Sequence, residues 1–226
     1  MLEANKSIWF EKIFAVYNRN LLNRRFNSLQ VSGLKLLQNK KEKEPLIIYA
    51  NHSSWWDGLV AFQISHHTGL DSYIMMEEKQ LKKLPLFRKL GAFSIIRENG
   101  REALKSINYA TQLLRQDTAR TLWIFPQGEI MPNDFRPFRF YNGLARIILS
   151  LEKCSVCSLA IRYEFLSEYK PDIFVKIEKT EFPFENLLNT KPKEISEALA
   201  VRLTAGLNQL KSETTAKNFS AFEKIC

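Results

Sequence analysis

The sequence predicts an α/β fold, a single domain in which a mixed, largely parallel sheet is flanked by helices. Short apolar or β-rich runs alternate with longer stretches of helical periodicity, and this order places helices on the faces of a sheet. The 226 residues are 45% hydrophobic, enough for a full core, and no repeat or Gly/Ser linker divides them. The predicted strands lie at 46–50, 72–76, 92–96, 121–125, 155–161 and 172–177, and the predicted helices at about 58–66, 100–115, 143–151 and 192–211.

The first predicted element is an amphipathic helix over Lys6–Leu22. Its apolar and aromatic residues recur at three- and four-residue spacing, and Lys6, Lys12 and Arg19 fall between them. Such a helix either packs on the domain core or lies in the headgroup layer of a membrane, and the pattern leaves both interpretations open. The predicted divisions of the chain are an N-terminal amphipathic, membrane-contacting segment (1–40), the main domain (41–212) and a polar tail (213–226).

The charge of the chain predicts an anionic partner. The formal net charge is +9, and residues 1–43 contribute +6 of it, from nine Lys or Arg and three Glu. Nucleic acid, an anionic membrane or an acidic carrier protein would each suit this charge. Because the basic residues are interleaved with an amphipathic apolar face and no nucleic-acid-binding motif is present, we predict an anionic membrane surface and no nucleic acid as the partner.

The protein is expected at the cytoplasmic face of a membrane as a peripheral protein. The longest stretch without a charged residue, Gly58–Leu70, has 13 residues, whereas a spanning helix needs about 20 apolar ones. Charged residues interrupt the first dozen positions, so no secretory signal is predicted. Three unevenly placed cysteines agree with a reducing compartment.

The segment Asn51–Asp57 follows the apolar run Leu46–Ala50 and carries a histidine and an aspartate. Residues five apart diverge by about 140° in a helix and lie roughly 16 Å apart in a strand, so His52 and Asp57 meet only across a turn. A carboxylate bonded to one imidazole nitrogen would leave the other free to take a proton from an alcohol. Alternatively, His52 is structural and Asp57 caps the helix that starts near Gly58.

A second polar segment, Phe125–Glu129, also follows a strand-like run, Thr121–Ile124. Both segments would then lie at strand ends, where α/β sheets bind their ligands. This shared position favours a catalytic role for His52 and Asp57 over a structural one.

With these segments the chain resembles the glycerolipid acyltransferase family, whose familiar members acylate lysophosphatidic acid. The resemblance covers roughly residues 46–162, in the family's order and at similar spacing. The similar blocks are Asn51–Asp57, Gly91–Arg97, Phe125–Ile130, Phe140–Gly143 and the apolar strand Val156–Ile161.

The resemblance implies an acyltransferase domain in which His52 deprotonates a lipid hydroxyl and Asp57 orients His52. The hydroxyl would attack the thioester of acyl-CoA or of an acyl carrier protein, and no metal or organic cofactor is implied. The residues implied to bind the acceptor are Arg97, Phe125, Pro126, Gln127, Gly128 and Glu129.

Several positions depart from the family pattern. Gln127 stands where Glu is usual, Glu129 where Thr is usual, Ile130 where Arg is usual, Tyr141 where Lys is usual, and Ser158 where Pro is usual. Two cations expected to hold a phosphate are therefore absent. We thus keep two alternatives beside a lysophospholipid acceptor: a neutral or glycosylated lipid acceptor, and a non-catalytic lipid-binding protein on the same fold. Cys154 and Cys157 would point to opposite faces of a strand, which disfavours a redox or zinc site.

Overall fold

The computed structural model describes residues 1–38, 44–151, 153–181 and 190–226. Its strands are β1 (Leu29–Ser32), β2 (Leu46–Ala50), β3 (Asp71–Glu77), β4 (Ala92–Ile95), β5 (Arg120–Ile124), β6 (Ser155–Glu164), β7 (Asp172–Thr180) and β8 (Phe222–Lys224). Its helices are α1 (Ile8–Arg25), α2 (Lys35–Gln38), α3 (Asp57–Thr68), α4 (Glu78–Lys83), a 3₁₀ helix (Pro85–Leu90), α5 (Gly100–Gln116), α6 (Gly143–Ser150) and α7 (Pro192–Thr215).

The strands form one eight-stranded mixed sheet in the order β4-β3-β5-β2-β6-β7-β1-β8. The five strands from β4 to β6 are all parallel. Strand β7 is antiparallel to β6, β1 is parallel to β7, and β8 is antiparallel to β1. The predicted fold class, an α/β domain with a mixed, largely parallel sheet, is confirmed.

Helices cover both faces of the sheet, because the central strands are apolar on both faces. Strand β2 is buried at every position. Its residues alternate: Ile47 and Tyr49 join the core beneath α5, α6 and α7, whereas Ile48 joins the core that includes α2 and α3. The second of these cores also receives Leu22 from α1.

All six predicted strands and the predicted helices are present within a few residues of their predicted limits. The sheet also contains two short strands that were not predicted, β1 from the N-terminal segment and, beside it at the edge of the sheet, β8 from the polar tail. The predicted boundary between residues 212 and 213 falls inside α7, and the one between residues 40 and 41 lies outside the described residues. The one sheet thus contains strands from all three predicted segments.

Helix α1 has a buried face and an exposed apolar face. Ala15, Asn18 and Leu22 are buried, and the Asn18 amide donates to the Leu59 carbonyl (3.1 Å) and to Gln63 Oε1 (3.2 Å) of α3. The exposed face carries large apolar side chains, with Trp9 73% and Val16 65% exposed. Among the described residues, no helix combines the length and the apolarity needed to cross a membrane. The outer stripe of α1, as we call this face, consists of Trp9, Ile13, Val16 and Tyr17.

Candidate active site

His52 and Asp57 meet across the turn between β2 and α3. The Asp57 backbone N–H donates to the Ser54 carbonyl (3.2 Å), and Asp57 Oδ2 accepts the backbone N–H groups of Ser53 (2.7 Å) and Ser54 (2.8 Å). Asp57 is also the first residue of α3, where the helix dipole favours a negative charge. These contacts turn the carboxylate back toward the strand end that carries His52.

The imidazole of His52 is bonded to this carboxylate. His52 Nδ1 lies 2.8 Å from Asp57 Oδ2, and Asp57 is fully buried while the His52 side chain is 24% exposed. Because a carboxylate only accepts hydrogen bonds, Nδ1 is the donor, and in a neutral imidazole Nε2 then carries the lone pair. His52 lines the large cavity of the protein, so Nε2 is the nitrogen available to a molecule bound there.

Tyr163, near the end of β6, holds the other oxygen of Asp57. Its hydroxyl donates to Asp57 Oδ1 over 2.5 Å, from a position 106 residues away in the chain. Burial, followed by the negative charge of Asp57, raises the pKa of Tyr163 well above that of a free tyrosine, so the hydroxyl stays protonated as a donor. The sequence analysis missed this residue, because nothing local links the two positions.

The backbone of His52 is held by the segment that follows β5. Its N–H donates to Gln127 Oε1 (2.7 Å), its carbonyl accepts the Met131 N–H (2.8 Å), and its ring is stacked on that of Phe125 with 4.6 Å between centroids. The preceding Asn51 is buried and exchanges two hydrogen bonds with the backbone of Ile161 on β6 (2.8 and 3.0 Å). The histidine is therefore held by the segment that follows β5 and, through Asn51, by β6.

The residues expected to bind the acceptor do not all occupy the same environment. Arg97, Phe125, Pro126, Gly128 and Glu129 line the cavity beside His52. Gln127 instead is only 5% exposed and, as described above, bonds the backbone of the catalytic candidate. The structure therefore brings five of the six residues to the cavity wall and gives Gln127 a supporting contact that the sequence analysis did not predict.

Arg97 is already engaged by protein groups. One guanidinium nitrogen donates to the Gly128 carbonyl and another to Glu77 Oε2 (3.3 Å), and the guanidinium lies over the Tyr141 ring at 5.5 Å. Gly128 has φ +75° and packs so closely on Arg97 and Tyr141 that a Cβ there would overlap both. The glycine of this segment thus permits the close approach of the arginine.

The cavity has a volume of about 810 Å³, within the usual range of ligand sites. Most of its wall is hydrocarbon or aromatic. Ser65 and Ser72 are exceptions, and they bond each other (2.8 Å), while Trp123 Nε1 donates to Ser65 (2.9 Å). The apolar lining residues include Phe14, Leu59, Phe62, Ile74, Met75, Met76, Leu84, Phe87, Leu104, Ile107 and Leu144. A long hydrocarbon chain is the kind of ligand that such a wall suits.

Cys154 and Cys157 lie away from this site. Both are buried thiols, and they belong to the cores on opposite faces of the sheet. Burial raises the pKa of Cys154 to about 12 and that of Cys157 to about 11. Both thiols are therefore protonated and act as small core residues.

A protein-family comparison agrees with the motifs. The family model described as Acyltransferase matches residues 28–162, more than half of the chain. This range contains His52, Asp57, Arg97 and the segment Phe125–Glu129. No curated protein matches the chain. The resemblance to the glycerolipid acyltransferases is confirmed, and the chain belongs to the acyltransferase family.

Proposed function

We propose that this protein transfers a fatty acyl chain from acyl-CoA or an acyl carrier protein to the hydroxyl of a lipid at a membrane surface. His52 acts as the general base and Asp57 orients it. The observation that carries the proposal is the bond from His52 Nδ1 to the buried Asp57 carboxylate (2.8 Å), with the same imidazole lining an apolar cavity. This arrangement joins a base to a binding site for a hydrocarbon chain.

In the proposed reaction, His52 Nε2 accepts the proton of the lipid hydroxyl while the hydroxyl oxygen attacks the thioester carbonyl carbon. The tetrahedral intermediate collapses as the C–S bond breaks, and the imidazolium returns the proton to the departing thiolate. The products are an ester and a free thiol, and the step needs no oxidant or reductant. Asp57 keeps Nδ1 protonated and stabilises the imidazolium that forms. Tyr163, which donates to the other oxygen of Asp57, keeps the carboxylate in position.

The exposed surface of α1 supports a membrane location. The outer stripe is flanked on one side by the exposed Lys12 and Arg19, and on the other by Lys89, whose ammonium lies 5.5 Å from the Phe10 ring. A helix with an apolar outer face and basic borders gains from apolar burial and from anionic headgroups, the latter by about 1 kcal/mol per basic residue. Phe14 of the same helix lines the cavity, so the proposed membrane contact lies close to the proposed acyl site.

The charges at the cavity favour a neutral acceptor headgroup over a phosphate monoester. The charged cavity-lining side chains among the described residues are two acids, Glu77 and Glu129, and two bases, Arg97 and Arg146, which sum to zero. Arg97 is paired with Glu77 at 3.3 Å, so a dianionic phosphate would compete with a carboxylate for the guanidinium. We therefore propose a neutral hydroxylated lipid as the preferred acceptor, with lysophosphatidic acid as the second candidate.

Replacement of the base tests the proposed mechanism. In His52→Ala, thiol release from acyl-CoA in the presence of acceptor should fall by roughly 10²–10⁴-fold, the usual contribution of a general base. His67→Ala is the matched control, because His67 is exposed on α3 and outside the cavity, and it should retain the wild-type rate. A folded His52→Ala protein that turns over as fast as wild type would show that His52 is not the base. A wild-type protein that binds lipid but never releases thiol would instead support the non-catalytic alternative.

A further inference from the structure

Strand β3 is unusual among the inner strands of the sheet. It lies between β4 and β5, yet each of its seven residues is only partly buried. By contrast, all five residues of β2 are buried, and so are four of the five in β5. An inner strand with incomplete burial along its whole length indicates open space beside both of its faces.

The cavity supplies that space. Every residue of β3 from Ser72 to Glu77 lines it, and successive residues of a strand point to opposite faces. Ile74 packs against the core that contains α3, whereas Met75 packs against the core that contains α5 and α6. The residues that line the cavity therefore lie on both faces of β3, and we call the parts of the cavity on these two faces its two branches.

The two branches are lined by different helices. The α3-side branch is formed by Phe14, Phe62, Ile74, Met76 and Phe87. The ring of Phe14 packs edge-on against those of Phe62 and Phe87, with 5.0 and 6.0 Å between the ring centroids. The α5-side branch is formed by Met75, Leu104, Ile107 and Leu144. Both sets are hydrocarbon or aromatic, so each branch is suited to a hydrocarbon chain.

We propose that the α3-side branch holds the fatty acyl chain of the thioester and that the α5-side branch holds the hydrocarbon chain of the acceptor. This inference rests on the proposed acyl transfer. An acceptor needs recognition of its headgroup, and the polar side chain Glu77 follows Met75 by two residues and so lies on the same face of β3. Glu77 bonds Arg97, which is stacked on Tyr141, so the polar groups of the site adjoin the α5-side branch.

The fatty acyl chain of the thioester needs fewer polar contacts than the headgroup of the acceptor. Its carbonyl must reach the imidazole of His52, whose partner Asp57 begins α3 and whose stacking partner Phe125 packs with the α3-side core. The acceptor class follows: a lipid alcohol with a hydrocarbon chain of its own is preferred to glycerol, a free sugar or another chainless hydroxyl compound.

Two adjacent methionines provide a matched test. Met75 and Met76 are both partly buried, line the cavity and point to opposite faces of β3. We would measure kcat/KM for a series of acyl-CoA donors of increasing chain length with one acceptor. A second series would use 1-monoacylglycerols, or lysophosphatidic acids, of increasing chain length with one donor. Wild type, Met75→Trp and Met76→Trp would be compared. If one of these variants fails to unfold cooperatively, the phenylalanine variant at the same position, Met75→Phe or Met76→Phe, would be measured in its place.

Met76→Trp should shorten the preferred donor chain and leave the acceptor series unchanged, and Met75→Trp should do the reverse. Near the limit of each branch, the loss should be roughly tenfold per methylene, the usual effect of one methylene in a hydrophobic pocket. Two results would overturn the inference: both substitutions changing the same series, or either one changing both series equally.

A binding experiment separates this inference from the proposed function. The affinities of a non-hydrolysable acyl-CoA thioether and of 1-monoacylglycerol for the same variants should follow the same pattern without turnover. A wild-type protein that binds both ligands, with the expected sensitivity to the two substitutions, but transfers no acyl group would disprove the function and support the two branches. A protein that transfers acyl groups but whose donor and acceptor affinities respond identically to both substitutions would disprove the branches alone.

Discussion

Strands β2 and β3 belong to the same parallel half of one sheet, separated only by β5, but they are built differently. Strand β2 is buried at all five positions and leads directly to His52, whose backbone and ring are held by contacts with the chain beyond β5. Strand β3 is partly buried at all seven positions and lines the cavity. The difference corresponds to two requirements of the proposed acyl transfer, a fixed base and a space for flexible chains.

The two regions should therefore respond differently to substitution. Hydrogen bonds are directional, so the loss of one partner near the end of β2 should change the position of the proposed base, His52, and with it the rate. Apolar contacts around β3 are not directional, so a substitution there changes which chain fits and affects the chemical step less. The first predictions below test this division, and the last one concerns the outer stripe of α1, which lies outside both regions.

Among the substitutions outside the proposed base itself, the largest effect is expected at Tyr163. Tyr163→Phe removes the hydroxyl that donates to Asp57 Oδ1 (2.5 Å) and should lower kcat by about 10- to 100-fold with little change in KM, in line with a hydrogen bond to a charged group. Tyr49→Phe is the control, because Tyr49 is a buried tyrosine on β2 whose hydroxyl lies near Thr180 (3.3 Å) and not near Asp57. Steady-state kinetics and thermal unfolding of both variants would be compared.

A double-mutant cycle decides whether Tyr163 acts through Asp57. In an Asp57→Asn background, Tyr163→Phe should have almost no further effect on kcat, because residues that act through one group are not additive. A full additional loss in that background would mean that the Tyr163 hydroxyl acts through a group other than Asp57, because Tyr163→Phe keeps the ring and its packing on Phe26 (5.7 Å between centroids).

A smaller effect is expected where the acceptor headgroup is proposed to bind. Ile130 lines the cavity and is 52% exposed, so Ile130→Arg adds a guanidinium to the cavity wall. The ratio of kcat/KM for lysophosphatidic acid to that for 1-monoacylglycerol should rise about tenfold. Phe135→Arg adds the same charge in the same loop but outside the cavity, and should leave the ratio unchanged. A wild-type protein that already strongly prefers lysophosphatidic acid would contradict the proposal that the acceptor is neutral.

The smallest effect is expected on the outer stripe of α1, which touches neither strand. Val16→Glu should weaken co-sedimentation with anionic vesicles by a few-fold, because it removes apolar area and adds a repelled charge. Val201→Glu is the control, since Val201 is also an exposed helical valine (70%, against 65% for Val16) but lies on α7, which packs on the opposite face of the sheet. Equal losses for both variants would exclude α1 as the specific membrane contact.

The sequence predicts the fold well where elements are long or strongly apolar. Strands β1 and β8 escaped prediction because four and three residues are too few for a periodic pattern. The apolar face of α1 was recognised, but the pattern could not show that its two sides have different surroundings, with Leu22 in the core and Trp9 73% exposed.

For the candidate site too, the sequence predicts local contacts but not contacts between distant parts of the chain. The pairing of His52 with Asp57 could be predicted, because a five-residue separation restricts the pair to a turn. The contact of Tyr163 with Asp57 could not, since it depends on how β6 lies beside β2 in the sheet. Similarly, the sequence predicts residues 72–76 simply as a strand, and only the packing of the neighbouring helices reveals that both faces of β3 are partly open.

The buried amide of Asn18, between the buried Ala15 and Leu22, helps to fix which way α1 faces. A helix with a large apolar face would ordinarily turn that face toward the protein interior. Rotation of α1 about its axis would break the bonds of Asn18 to Leu59 and Gln63, leaving buried polar groups unpaired at a cost of about 1–3 kcal/mol for each. The hydrogen bonds of one polar side chain thus favour the orientation of α1 in which Trp9, Ile13, Val16 and Tyr17 face the solvent, even when no lipid is present.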